Sequence, residues 1–206
     1  MTATISRLYD SYSKASEAVA NLEAAGVKHS DISILASNAD NWYSADRKPD
    51  TFPDRDLDGK DDRAEAASTG AGVGATVGGA AGLLAGLGLM AIPGVGPVVA
   101  AGWLVATLTG AAAGGATGGI IGALTQAGVS KEEADVYAEG LRRGGAVVSA
   151  RVADAEAPRL QAIMDRSSVK LADRSTAYRN AGWKSFDPRA TPYTPDQVRR
   201  ERDQYR

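Results

Sequence analysis

The residues best suited to chemistry lie in an acidic stretch in the first third of the chain. They match the EF-hand pattern D-x-D-x-D-G-x5-E, whose carboxylates here are Asp54, Asp56, Asp58 and Glu65. Calcium prefers several hard oxygen ligands that converge on one point, and Gly59 supplies the sharp turn between them. However, Pro49 and Pro53 exclude an ordinary helix before the loop, and Asp61 stands where such loops usually carry an apolar residue. Two interpretations therefore stay open, a calcium site and an acidic, solvated linker.

The rest of the chain offers no constellation that indicates catalysis. There is no cysteine, which excludes thiolate chemistry and cysteine metal sites, and the single histidine, His29, cannot form a triad alone. The phosphate-binding pattern G-x-x-x-x-G-K-[ST] does not occur, and Gly94-Val95-Gly96 lacks the later glycine or alanine of the dinucleotide fingerprint. We therefore expect no enzymatic activity, no resident cofactor and no small-molecule substrate.

The stretch from Glu65 to Lys131 contains no charged residue between those two and carries two ladders of small residues spaced by four. The first is Gly70, Gly74, Gly78, Gly82 and Gly86, and the second is Gly102, Ala106, Gly110, Gly114, Gly118 and Gly122. On a helix such spacing leaves a groove without side chains, which lets two backbones approach closely. The pattern predicts two glycine-faced helices that pack on each other, with a turn at Pro93, Gly94, Gly96 and Pro97.

Isolated glycine-rich helices do not hold in water, because each glycine costs about 1 kcal/mol relative to alanine. The hairpin must therefore be surrounded by lipid or by protein. The uncharged span from Val73 to Ile92 has membrane-crossing length, and both charged flanks lie at the open end of the hairpin. Insertion of the hairpin tip-first into a bilayer and burial within the protein or an oligomer both stay open.

Hydrophobic periodicity on either side of this stretch predicts two β-α-β units. The first has strands at residues 3–9 and 31–36 around a helix at 14–25. After a helix that begins at Ser130, the second has strands at 145–152 and 169–171 around a helix that follows Asp154. This order predicts an α+β fold, a ferredoxin-like βαβ-βαβ sandwich with an inserted glycine-rich helical hairpin and an extended C-terminal tail.

The predicted domain organisation follows from these segments. Residues 1–36 and 129–173 form a discontinuous α+β domain, 37–65 an acidic linker, 66–128 the glycine hairpin and 174–206 the tail. The tail is polar, yet it carries Trp183, Phe186 and Tyr193, which we expect to dock on the body or on a partner. Thr194 and Gln197 predict a short terminal helix.

The chain resembles the bacterial general stress protein 17M-like family, which includes heat- and low-temperature-induced proteins. The resemblance covers residues 3–172 and is strongest in Ala91-Ile92-Pro93-Gly94-Val95-Gly96-Pro97-Val98-Val99, with Ser130-Lys131-Glu132-Glu133-Ala134 and Leu141-Arg142-Arg143-Gly144-Gly145 further on. It implies a bacterial, stress-associated protein without an assigned enzymatic activity, and it brings no catalytic residues.

Together these observations favour a non-enzymatic stress-response protein whose glycine hairpin mediates membrane association or self-assembly. The alternative is a soluble binding module that responds to calcium or another ligand. A net charge of -2 and a pI near 5.5 argue against a general nucleic-acid binder. The first residues lack the apolar core of a secretory signal, so we expect a cytoplasmic protein, soluble or held at the inner membrane.

Overall fold

Five strands and seven α-helices make up the part of the chain that the computed structural model describes, residues 2–43, 87–113 and 119–205. The strands are β1 (Thr2–Tyr9), β2 (Ile32–Ser37), β3 (Gly88–Ile92), β4 (Gly96–Gly102) and β5 (Ala146–Ala153). The helices are α1 (Tyr12–Ala24), α2 (Trp103–Ala113), α3 (Gly119–Gln126), α4 (Lys131–Arg142), α5 (Ala157–Asp165), α6 (Leu171–Asn180) and α7 (Pro195–Gln204). The fold is therefore mixed α+β, as the sequence predicts.

The strands form one antiparallel sheet in the order β1-β5-β2-β4-β3. Ile5 of β1 lies opposite Ala150 of β5, and Ala150 also lies opposite Ile32 of β2. Because β5 is antiparallel to both neighbours, β1 and β2 run in the same direction on either side of it. Helix α1 connects β1 to β2 across β5, which makes the first unit a split β-α-β motif.

Helices cover both faces of the sheet. Helices α1 and α5 pack on one face, where Val19, Leu22 and Leu160 meet inward residues of β1, β2 and β5. Helices α2, α3 and α4 cover the other face, where Leu104, Leu124 and other apolar residues meet Leu35 and Val98. The two faces of β2 are consequently both closed, and all six of its residues are buried.

Burial on both faces explains the serines in the central strands. The Ser33 hydroxyl donates to the carbonyl oxygen of Ala101 at 2.8 Å, and the Ser6 and Ser149 hydroxyls share a hydrogen bond of the same length. Buried hydroxyls without partners would cost roughly 1–3 kcal/mol each. Serines whose hydroxyls have hydrogen-bond partners can therefore occupy a strand that is buried on both faces.

The predicted helical hairpin is wrong where the structure describes it. Residues 88–102 form the β-hairpin β3–β4, not the facing ends of two helices. Its turn contains Pro93 and Gly94, whereas Gly96 and Pro97 begin β4. The register that pairs Ile92 with Gly96 and Gly88 with Ala100 aligns two short apolar runs. Sheet pairing with β2 therefore outweighs the helical tendency of the spacing.

The second ladder does not lie on one helix. Gly102 ends β4, Ala106 and Gly110 lie in α2, and Gly122 lies in α3. Gly114 and Gly118, like the whole first ladder Gly70, Gly74, Gly78, Gly82 and Gly86, lie outside the described residues. Gly102 has a φ of 91°, and a Cβ atom there would lie 2.3 Å from the carbonyl oxygen of Ile32. Glycine at this position serves the close approach of β4 to β2, not a groove between helices.

The predicted fourth strand at Val169–Leu171 is also wrong, because α6 begins at Leu171. One contact of that strand is present, since the Val169 amide donates to the Leu8 carbonyl oxygen at 2.7 Å on the outer edge of β1. The segment predicted as an extended tail contains most of α6 and all of α7 and docks on the body, where Tyr178, Phe186 and Val198 are buried. The division of the chain into domains stays a prediction.

We expect Gly102→Ala to destabilise the fold by roughly 2–5 kcal/mol, because positive φ and overlap with the Ile32 carbonyl oxygen combine. Gly26→Ala is the matched control. Gly26 has a similar φ of 95° but no atom within 4 Å of the added Cβ, so its cost should be only about 1–2 kcal/mol. Urea unfolding followed by circular dichroism measures both. Equal losses for the two variants would show that the close approach of β4 to β2 is not required.

Candidate functional site

The described residues that best resemble a site surround the docking position of α7. The turn that follows α4 contains Gly144, with a φ of 98°, and Gly145. Val198 is the only fully buried residue of α7 and fills the space that this turn leaves open. A Cβ atom on Gly144 would lie 2.3 Å from Cγ1 of Val198. The glycine therefore creates the notch in which the terminal helix sits.

Helix α7 begins as the sequence predicts. The Thr194 hydroxyl accepts a hydrogen bond from the amide of Gln197, and the Gln197 side chain accepts one from the amide of Thr194 at 2.8 Å. This reciprocal capping box satisfies two amides that a helix start leaves without partners. The helix is otherwise highly charged, so one apolar residue and a set of ionic contacts hold it in place.

Those contacts centre on Glu139, Arg142, Arg143 and Glu201, which we call the ionic cluster. Glu139 is 0% exposed, and its carboxylate accepts hydrogen bonds from Arg143 Nε at 2.6 Å and Arg142 at 3.3 Å. The spacings i+3 and i+4 place both guanidinium groups beside the carboxylate. Arg143 also donates to Glu201 of α7 at 3.0 Å and so links the body to the helix.

Two further arginines extend the contact between α7 and the body. Arg202 pairs with Asp40 at 2.5 Å and donates to the Gly144 carbonyl oxygen at 3.1 Å. Arg174 of α6 pairs with Asp10 at 2.6 Å and lies 3.8 Å from the ring centroid of Tyr205. Each guanidinium therefore has an acidic or aromatic partner, and the arrangement neutralises itself.

Aromatic rings complete the surroundings of the ionic cluster. The Arg143 guanidinium lies 4.2 Å from the ring centroid of Tyr178, and that of Arg142 lies 4.7 Å from the ring of Tyr193. Tyr178 is fully buried and makes an edge contact with Trp183. Cation–π contacts of this kind are strongest where water is excluded. The tail aromatics therefore dock on the protein's own body.

The pKa values of Arg143 and of the neighbouring Tyr178 are both shifted. Burial acts to lower the pKa of Arg143, but the hydrogen bond and charge of Glu139 outweigh it and the pKa is raised. Burial raises the pKa of Tyr178 well above its ordinary value, although Arg174 acts to lower it. At neutral pH the phenol stays protonated and the guanidinium stays charged. The charged Arg143 can therefore hold Glu139 and Glu201 together and position α7, with the neutral ring of Tyr178 beside it.

Two cavities next to the ionic cluster differ in volume. The cavity between Tyr9, Arg143, Tyr178 and Glu201 has a volume of about 10 Å³, room for no more than one water molecule. A shallow groove of about 400 Å³ lies nearby between Asp10, Lys170 and Asp173 and carries charges of both signs. Among residues 2–43, 87–113 and 119–205, no group of three or more histidine or acidic side chains could hold a metal ion.

The turn of the β-hairpin is covered by protein. A Cβ atom on Gly94 would lie 2.6 Å from the Asp187 carbonyl oxygen and 2.9 Å from the Phe186 ring, and one on Gly96 would lie 2.8 Å from Pro192. Ile92, Val95, Val98 and Val99 are all buried. Residues 186–192 of the chain therefore lie over this apolar turn, and insertion of the hairpin into a bilayer stays a prediction.

The proposed calcium ligands Asp54, Asp56, Asp58 and Glu65 lie outside the described residues, so the calcium site stays a prediction. The sequence interpretation missed the ionic cluster, because arginines mixed with acids suggest solvated faces. One signal was present. Glu139 precedes Arg142 and Arg143 by three and four residues on a helix whose neighbouring positions are apolar.

Comparison of the chain with protein families, with curated proteins and with solved structures gives no match. The resemblance to the stress-protein family therefore stays an expectation. Within the described part of the chain, every helix is too short or too polar to cross a membrane.

We expect Glu201→Gln to destabilise α7 by about 1–2 kcal/mol, because Arg143 loses a charged partner in a contact where both side chains are largely buried, 12% and 16% exposed. Asp196→Asn on the same helix is the control. Asp196 pairs with Arg199, and these side chains are 71% and 61% exposed, so that change should cost at most about 0.5 kcal/mol. Hydrogen exchange of residues 195–204 measures both. Equal protection in the two variants would contradict the role of the cluster.

We expect the free energy of unfolding to fall as the pH rises above about 10. Burial raises the pKa of Tyr137 to about 12, although Arg7 acts to lower it, whereas the unfolded value is near 10. The folded state therefore holds the proton that the unfolded state releases, and the stability present below pH 10 decreases by about 2–3 kcal/mol by pH 12. Urea unfolding at pH 8, 10 and 11, with absorbance at 295 nm to follow tyrosine ionisation, tests this. A flat stability between pH 10 and 11 would contradict it.

Proposed function

We propose that the protein is non-enzymatic and acts by self-association, with the glycine-rich segment that precedes β3 supplying the contact between copies. The observation that supports this proposal is the contact between the two residues that flank that segment, a place that we call its root. The Tyr43 hydroxyl donates to the Leu87 carbonyl oxygen at 3.0 Å, so the chain leaves the body at residue 43 and returns beside it at residue 87. Tyr43 and Leu87, the described residues on either side of the glycine-rich segment, therefore lie next to each other.

The root itself is firmly held. The Asn38 side chain exchanges two hydrogen bonds of 2.9 Å with the backbone of Tyr43, and the Trp42 indole donates to the Ser37 carbonyl oxygen at 2.8 Å. Trp42 also stacks on Tyr12 with ring centroids 4.4 Å apart. Fixed attachment residues lower the entropy that would be lost on binding, so they favour a segment that contacts a partner.

Three observations favour self-association over catalysis and over membrane insertion. The groups of the ionic cluster pair with one another and dock α7, and the cavity beside them, about 10 Å³ in volume, is too small for a substrate. The apolar turn at Ile92–Val99 is satisfied by protein and needs no lipid. The first glycine ladder predicts a glycine-faced helix, and such a helix is unstable alone in water and needs close neighbours. A second copy of the chain supplies an identical groove.

We also propose a bacterial stress-response setting in the cytoplasm, which rests on the family resemblance alone. For the fold, we propose that the core is related to the ferredoxin-like arrangement. The split β-α-β unit of β1, α1 and β2 around β5, with α1 and α5 on one face, supports this. Two features differ from that arrangement. Where a fourth strand would pair with β1, only Val169 makes a backbone hydrogen bond, and on the opposite side β4 and β3 extend the sheet.

We expect Gly82→Leu to weaken self-association about tenfold or more, because a leucine fills the groove that lets two backbones approach. Leu83→Ile, a neighbouring change that conserves volume, is the control and should leave the oligomer unchanged. Analytical ultracentrifugation over a range of protein concentrations measures the dissociation constant. A native protein that stays a monomer of 21.2 kDa at all concentrations would refute the proposal.

Flotation with vesicles of anionic lipid separates the membrane interpretation from self-association. We expect the native protein to remain in the dense fraction. If it floats with the vesicles and Gly82→Leu abolishes flotation, the segment binds lipid and the present proposal is wrong.

A further inference from the structure

The last described residues of the chain, 184–205, are attached to the body in an unusual way, and we call them the strap. They are mostly exposed, and only Phe186 and Val198 are buried. The structure describes no backbone–backbone hydrogen bond between the strap and residues 2–43, 87–113 or 119–183. A segment that shares no helix or sheet ladder with its neighbours can separate from them while their secondary structure stays intact.

The two hydrophobic cores of the body are nearly complete without the strap. The core between the sheet and helices α1 and α5 contains none of its residues, and the core on the opposite face contains only Phe186. Val198 belongs to neither core and lies against Gly144 instead. The apolar burial that holds the sheet and its helices together therefore does not depend on α7.

Charge contributes much of the attachment of the strap. Two ion pairs between described residues join it to the body, Arg143 with Glu201 at 3.0 Å and Arg202 with Asp40 at 2.5 Å. None of these four side chains is more than 27% exposed, so each pair is partly shielded from water. Added salt still weakens such attraction, because mobile ions screen the charges.

The same contact contains buried polar atoms that no protein group reaches. In the described residues these atoms include Oδ1 of Asp40, Oε2 of Glu201 and Nε of Arg202, although the other atoms of these side chains form the ion pairs. A buried polar atom of this kind gives up hydrogen bonds with water and gains none from the protein. Docking of the strap therefore carries a cost that release removes, which brings the docked and released states closer in free energy.

The strap covers the apolar turn of the β-hairpin. A Cβ atom on Gly94 would lie 2.7 Å from Cα of Pro188 and 2.9 Å from the ring of Phe186, so turn and strap are in direct contact. Ile92 and Val95 belong to the same core as Phe186 and are 4% and 0% exposed. Release of the strap would therefore expose part of an apolar surface to water.

We propose that the strap is a detachable cover, which leaves the folded body when its ion pairs weaken and so exposes the apolar turn at Ile92–Val95. Val198 is its apolar anchor on α7, and the pairs of Arg143 and Arg202 make its docking sensitive to salt. A monomer can use the same device, so this proposal is independent of the proposed self-association.

The absence of cysteine in the chain allows a direct test with one introduced thiol. Val95→Cys places it under the strap, and Val19→Cys, the matched control, places it in the core beside α1; both valines are 0% exposed. We expect alkylation of the Val95→Cys thiol to accelerate about threefold or more from about 0.1 M to about 1 M sodium chloride. The rate for Val19→Cys should stay unchanged, because the body remains folded.

Val198→Asp should release the strap without added salt, because a carboxylate cannot be buried against Gly144 without a partner. In this background we expect the Val95→Cys thiol to react about tenfold faster or more. Gln204→Asp adds the same charge at an exposed position of α7 and should leave the rate unchanged. Hydrogen exchange of residues 195–204 reports the release of α7, and circular dichroism reports the folding of the body.

Hydrogen exchange of the unmodified protein in low urea provides a measurement that needs no variant. Amides of α7 should exchange through a local opening, with a smaller free energy and a weaker dependence on urea than amides of β5. Equal values for the two elements would show that the strap leaves only when the whole protein unfolds, and would overturn the proposal.

The thiol experiments have three further outcomes that would contradict the proposal. If the rates for Val95→Cys and Val19→Cys rise together, the body opens with the strap. If α7 loses its protection in Val198→Asp while the Val95→Cys thiol stays unreactive, the strap is not what covers the turn. If salt leaves the Val95→Cys rate unchanged, the ion pairs do not control release. Each of these results leaves the proposed self-association untouched, since ultracentrifugation tests that separately.

Discussion

The burial of β2 and β5 on both faces is the constraint on which the rest of the structure depends. A sheet covered on one side can alternate apolar and polar residues, but a strand covered on both sides cannot. The central strands therefore combine branched apolar residues with alanine and with serines whose hydroxyls have partners, such as Ser33 and Ser149. Helices must then exist on both faces, and α2 and α3, which precede α4, supply part of the second layer.

Elements with strong periodicity could be predicted from the sequence. Strands β1, β2 and β5 and helices α1 and α4 lie within about two residues of their predicted bounds, because their apolar spacing is clear and because Ser130 caps α4 as predicted. The structure of the segment from Gly88 to Gly102 could not be predicted from the sequence, since a short apolar run fits a buried strand and a buried helix equally well. Its four-residue glycine spacing favoured a helix, whereas Gly102 is required by the approach of β4 to β2.

The ionic cluster could not be predicted from the sequence for a different reason. Spacing along α4 can place Arg143 beside Glu139, but it cannot identify Glu201, which is 58 positions further along the chain. Nor can it show that Glu139 is fully buried, because that depends on the tail lying over α4. The polar composition of the tail suggested an extended segment, yet one valine in a glycine notch and a few paired charges are enough to dock α7.

The docked tail and the residues that precede the glycine-rich segment meet at the same part of the sheet. The Ser37 amide donates to the Gly145 carbonyl oxygen at 3.0 Å, and Arg202 of α7 holds both Gly144 and Asp40. Asp40 lies three residues before Tyr43, the last described residue before the glycine-rich segment. Helix α7 therefore stabilises the root of the glycine-rich segment, while residues 186–192 close the hairpin turn beside it.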